Sequence, residues 1–200
     1  MEVQELRPGL WRWTGSHPEW NHAEHWGPEV GSVYAELPDA VVVVDPLVPE
    51  ESEEQFWTAL DRDVERLGLP MHVLLTVHWH ERSVATVLDR YKATLWRPEE
   101  KGELPTGVHV EIVKGGDWVE ALFFLVPHRA LVAGDLLIGK DGGVELPVRW
   151  FPKGEQEWAE RELRPELRER LDKLPVELVI VSHGEPVLEN GADALRRALS

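Results

Sequence analysis

Four short apolar runs along this chain each stop on side chains of the kinds that carry chemistry. AVVVVD (residues 40–45) ends on Asp45, and HVLLTV (residues 72–77) runs into HWHERS. ALVAG is followed by Asp135, and ELVIVS by His183. Apolar, β-branched runs of about four to eight residues bounded by turn signals are strands rather than buried helices. A chain built this way has to bury its runs in sheet. Polar residues at strand ends of one rim can then converge, and rigid strands can preorganise them.

Helical stretches separate the runs. Residues 32–36 and 40–45 read as two strands around a Pro38-Asp39 turn. From about Glu53 a helix follows, with Ser52 and Gln55 in a capping-box pattern and a Phe56, Leu60, Val64, Leu67 stripe. Ser83 is placed to cap a short helix that turns Val84, Val87 and Leu88 inward. The middle is β-rich: ATLW, VHVEIV, WVEALFFLV and ALVAG. A helical region covers about residues 154–174, where Pro165 is expected to start a second helix. Asn190 caps a last helix carrying Leu195 and Leu199. Strands and helices mixed in this order predict two sheets with helices outside.

Composition narrows the function. The 200 residues predict a single domain over 1–200. With no cysteine, a disulfide scaffold, a thiolate metal site and a cysteine nucleophile are excluded. A net charge of −16 argues against nucleic acid or an anionic membrane as partner, since both are bound through cationic contacts. No apolar run approaches the ~20 residues of a membrane span, and the first residues carry no basic-then-apolar leader, so the chain reads as cytoplasmic. Two Asn and three Gln, with 15 Arg among 21 basic residues, suggest a thermophilic source.

The polar clusters are imidazoles and carboxylates, donors that suit zinc and related divalent ions. A His-x-His pair in a loop after a strand, here His78 and His80, can turn both rings to one side. Asp45 is expected to support a ligand rather than be one. His128 is expected exposed in a hairpin turn, and His72 and His109 structural. The segment SHPEWNHAEHWGPE gathers His17, His22, His25, Trp20 and Trp26 into one loop.

Taken in order, TVHWHERS, PHRALVAGDLL and SHGEPVLENGADAL resemble the metallo-β-lactamase fold superfamily over nearly the whole chain. The resemblance implies a four-layer αββα sandwich, α/β in class, with His78, His80, Asp135 and His183 as metal ligands at one edge. It also shows departures. Arg82 and Ser83 stand where the family has an Asp and a His, and Gly115, Gly116 and Asp117 occupy the stretch of a mid-chain histidine. The second metal's place is therefore expected to be lost, leaving a degenerate site with one divalent ion, zinc first. Arg82 would supply a fixed positive charge in its stead, facing Asp135. The Trp-rich loop would border the site and offer His22 or His25. Two functions follow: a small metal-dependent hydrolase of a small-molecule substrate, with Asp135 and Arg82 in the catalytic machinery, or a non-catalytic ligand-binding descendant of the fold with little or no metal.

Overall fold

The computed structural model describes residues 2–100 and 102–200. The chain divides into two compact units, Met1–Val108 and His109–Ser200.

The first unit is built on a six-stranded sheet. Its strands are β1 (Glu2–Arg7), β2 (Leu10–Ser16), β3 (Glu29–Glu36), β4 (Val41–Val44), β5 (Met71–Leu74) and β6 (Thr94–Trp96), in spatial order β1-β2-β3-β4-β5-β6. The pairs from β1 to β4 are antiparallel, and β4-β5 and β5-β6 are parallel. Parallel neighbours need crossovers, supplied by α1 (Glu53–Leu67) and α2 (Val84–Tyr91). Every side chain of β4 is buried, which accounts for a continuous valine run instead of an alternating one. Trp13, Tyr34, Val41, Val43, Phe56, Trp57, Leu60, Val73 and Val87 form one core cluster. The first two strands, EVQELR and LWRWTGS, carry no strong strand signal because polar residues and a tryptophan pair interrupt the pattern.

The second unit has a four-stranded sheet of β7 (Val108–Lys114), β8 (Val119–Leu125), β9 (Ala130–Ala133) and β12 (Leu178–Val181), in spatial order β12-β9-β8-β7. A hairpin of β10 (Ile138–Lys140) and β11 (Gly143–Glu145) precedes the helices α3 (Gln156–Trp158), α4 (Arg164–Leu171) and α5 (Gly191–Ala198). Leu122, Phe124, Leu131, Leu163, Leu167, Val179 and Leu195 belong to its core.

Several local expectations are corrected. Ser52 stands at the N-cap of α1 but makes no capping hydrogen bond, because its backbone (φ −138°, ψ 29°) lies outside the extended conformation that aims a capping side chain. Ser83 stands at the N-cap of α2, yet its hydroxyl accepts the Val48 N–H at 2.9 Å instead. Pro165 lies in the first turn of α4, as expected, but no break separates that helix from what precedes it. A π-helical turn, Ala159–Leu163, leads straight into α4. Proline has no N–H and its ring clashes with the carbonyl four residues back, so a wider turn lets the helix pass. His128 does lie in the β8-β9 hairpin turn, a 3-10 segment over Val126–His128, but it is buried there and not exposed.

Candidate metal centre

Each unit holds one ligand-type group backed by a buried carboxylate. In the first unit the carboxylate is Asp45, at the end of β4 and 2 % exposed. Its Oδ1 accepts the Thr76 N–H at 2.9 Å, and its Oδ2 accepts the Thr76 hydroxyl at 2.5 Å. The same Oδ2 lies 2.8 Å from His80 Nδ1. A hydrogen bond from one imidazole nitrogen to a carboxylate fixes the tautomer and leaves the other nitrogen as the lone-pair donor. The Asp45 contact therefore assigns the His80 proton to Nδ1 and the lone pair to Nε2. Burial alone would raise the Asp45 carboxyl, but the His80 ring, the Arg82 charge and the Thr76 hydroxyl together hold it below the ordinary carboxylate range.

Main-chain contacts keep this corner in place. The Ser32 hydroxyl donates to the Asp45 carbonyl at 2.7 Å and accepts the Leu47 N–H at 3.1 Å. The Ser83 N–H donates to the Pro46 carbonyl at 3.0 Å. Arg82, with a left-handed φ of 30°, turns its Nη1 onto the carbonyls of Gly31 (3.0 Å) and Asp45 (3.1 Å). Its guanidinium thus ties the ends of β3 and β4 together within the first unit instead of standing in solvent.

The two histidines of HWH differ. His80 is buried, whereas the side chain of His78 is 54 % exposed, 3.7 Å from Glu99 and edge-on to Trp79. A 3-10 turn over His78–His80 rotates successive side chains by about a third of a turn, so alternate residues do not share a direction as they would in a strand. In the Trp-rich loop, Trp20 donates its indole N–H to the Trp26 carbonyl at 2.8 Å and His22 lies edge-on to Trp20. His22 and His25 are both exposed there.

In the second unit Asp135 and His183 come together. Asp135 Oδ1 and His183 Nε2 are 3.2 Å apart. Two ligands on a tetrahedral ion with bonds of about 2.0 Å would stand roughly 3.3 Å from each other, so the pair is spaced as one edge of such a site. The nitrogen and oxygen donors also suit zinc. His183 is 8 % exposed, edge-on to Trp150, and follows β12. Its carbonyl accepts the Gly139 N–H at 2.8 Å. At that crossing a Cβ on Gly184 (φ +83°) would stand 2.3 Å from the Gly139 carbonyl oxygen, so only glycine lets β10 approach the His183 loop.

Sequence reasoning passed over Glu120, which lies inside the apolar strand VEALFFL and is 2 % exposed. Its carboxylate accepts the N–H groups of Gly134 (3.0 Å), Asp135 (3.1 Å) and Leu136 (3.1 Å). A charged residue in an otherwise unbroken apolar run was the available signal. The stretch where the resemblance placed a mid-chain histidine is held otherwise: Gly116 and Trp118 both donate to the Glu155 carboxylate, at 3.2 and 3.0 Å.

No family model and no curated protein matches the chain. Solved structures do. The structure of TMB-1 superposes with a TM-score of 0.61 at 13 % identity, covering 100 % of this chain and 98 % of that one. DIM-1 metallo-β-lactamase gives 0.57 at 14 % identity, with 98 % and 97 % covered. FIM-1 from Pseudomonas aeruginosa, in its mono-zinc form, gives 0.55 at 16 % identity, with 99 % and 96 % covered. At such identities the likeness is one of architecture, and over its whole length this mixed α/β chain has the metallo-β-lactamase fold.

Proposed function

We propose that the chain is a metal-dependent hydrolase acting on a small-molecule substrate, with a single divalent ion, zinc first, held by His80, Asp135 and His183. The observation that carries the reading is the Asp135–His183 pair, two ligand-type atoms at the edge length of a tetrahedral site. His80, oriented through Asp45, supplies the third donor. The reading requires the two units to present these groups to one ion. A catalytic zinc site has three protein ligands and one open place, which this set matches in number. His78, exposed beside Glu99, is not needed for that count.

When bound, such an ion supplies Lewis acidity to a carbonyl or phosphoryl oxygen and makes its water acidic enough to ionise near neutral pH. The chain's own residues orient the donors: Asp45 sets the His80 tautomer, and Arg82 anchors the Asp45 main chain while adding a fixed positive charge beside its carboxylate. The proposal places the protein in the cytoplasm. A panel of small esters, lactones, thioesters and phosphoesters tests the reading. Hydrolysis by the zinc-loaded chain, lost on chelation and in Asp135→Asn, supports it. Full activity in the stripped chain contradicts it.

A further inference from the structure

Among the described residues two carboxylates are buried, Asp45 and Glu120. Asp45 backs His80. Glu120 stands in the same relation to the loop that carries Asp135.

The β8-β9 ladder pairs Phe123 with Val132, Phe124 with Leu131 and Leu125 with Ala130. Continued past the end of β9, that antiparallel register sets Glu120 opposite Asp135. Where the chain leaves the strand, the N–H groups of residues 134–136 lose a strand partner. Consecutive N–H groups converging at such a turn form a concave nest for an anion. Glu120 fills it: Oε1 accepts Gly134 and Leu136, and Oε2 accepts Asp135 and Leu136. A buried carboxylate is costly unless hydrogen-bonded, and a carboxyl here that lost these donors would have reason to leave the core. The turn and the carboxylate therefore hold each other in one arrangement. The middle residue of that turn is Asp135, whose side chain meets His183.

We propose that Glu120 is a positioning residue for Asp135: by gripping the main chain of residues 134–136 it sets the direction of the Asp135 carboxylate toward His183 and toward a metal ion. The metal part of this inference rests on the function proposed above.

The test titrates the metal-stripped full chain with Co2+ alone and follows its visible ligand-field absorption. Glu120→Gln keeps the shape but turns an amide N–H toward main-chain N–H groups. Glu120→Asp keeps the charge but falls a methylene short. Leu167→Val, in the core of the same unit, serves as a control for lost stability alone. Both Glu120 variants should bind Co2+ some 10–100-fold more weakly, the usual loss when a supporting partner is removed, with shifted absorption bands. The control should keep the affinity and spectrum of the parent. Parent-like affinity and spectrum in a folded Glu120 variant overturn the proposal.

A second measurement separates this inference from the metal reading. In the metal-free parent, the amides of residues 134–136 should be protected from hydrogen exchange. Glu120→Asp should speed their exchange at least tenfold and move the His183 ring resonances, while Leu167→Val should not move them. If the parent takes up no Co2+ but these shifts occur, the metal reading fails and the positioning role stands. Unprotected amides in the parent, or unmoved His183 resonances in Glu120→Asp, overturn the positioning role whatever the metal does.

Discussion

An imidazole offers a defined nitrogen to a metal only when its other nitrogen is engaged, and Asp45 engages the Nδ1 of His80 from a fully enclosed position. Removing one member of such a buried pair leaves the other underpaired, which costs about 3–5 kcal/mol. Asp45→Ala is expected to lose stability in that range in urea unfolding, and an unchanged midpoint would refute the role given to Asp45. A different histidine adds a pH dependence of its own. His72 has a buried Nδ1 with no hydrogen-bond partner, and burial lowers its imidazole, with Asp39 offsetting part of the effect. The unfolded chain takes up this proton near pH 6.5, and the folded chain only at lower pH. The His72 contribution to stability is thus complete above about pH 6.5 and falls as pH drops through that value. His72→Phe is expected to gain stability relative to the parent between pH 7.5 and 5.5, measured by urea unfolding at both values. A constant difference would contradict this. Sequence alone showed which residues are ligand types, since imidazole and carboxylate at strand ends are visible in the letters. It did not show that His80 turns inward while His78 faces water, because the inward ring is held by Asp45, 35 residues away along the chain.

At the scale of elements, short polar turns after β-strands place the candidate ligands, and two crossings hold those turns. One is the Glu120 grip on residues 134–136. The other is the approach of β10 to the His183 loop. Gly184→Ala would force a Cβ against the Gly139 carbonyl and a left-handed φ on alanine. The expected loss is at least about 2 kcal/mol, from overpacking and backbone strain together. Circular dichroism melts and denaturant midpoints check it, and a variant as stable as the parent would remove the argument. The strands after which these turns come were legible because β-branched runs stand out. The caps were less so. A Ser-x-x-Gln pattern names the residues of a capping box but not the dihedral angles it needs, and Ser83 found a better partner in the Val48 N–H. Pro165 marked the start of α4 correctly, but the π-helical turn that joins it to the preceding residues has no signature in the letters.

For the whole molecule, the ordered set of motifs carried the fold where no single motif would, and the superpositions agree with it along the full chain at 13–16 % identity. Function follows from sites rather than folds, so the departures from the pattern weigh more than the likeness. Arg82 binds main-chain carbonyls where the resemblance expects a carboxylate ligand, and Glu155 closes the stretch where it expects a histidine. With those donors gone, the proposed function gives His80, Asp135 and His183 a single ion to hold. Zinc counted per chain by elemental analysis, after loading the stripped protein and removing excess metal by gel filtration, tests this most directly. The proposed function predicts about one zinc per chain, falling toward none in Asp135→Ala. No retained zinc, or two per chain, would contradict the single-ion centre.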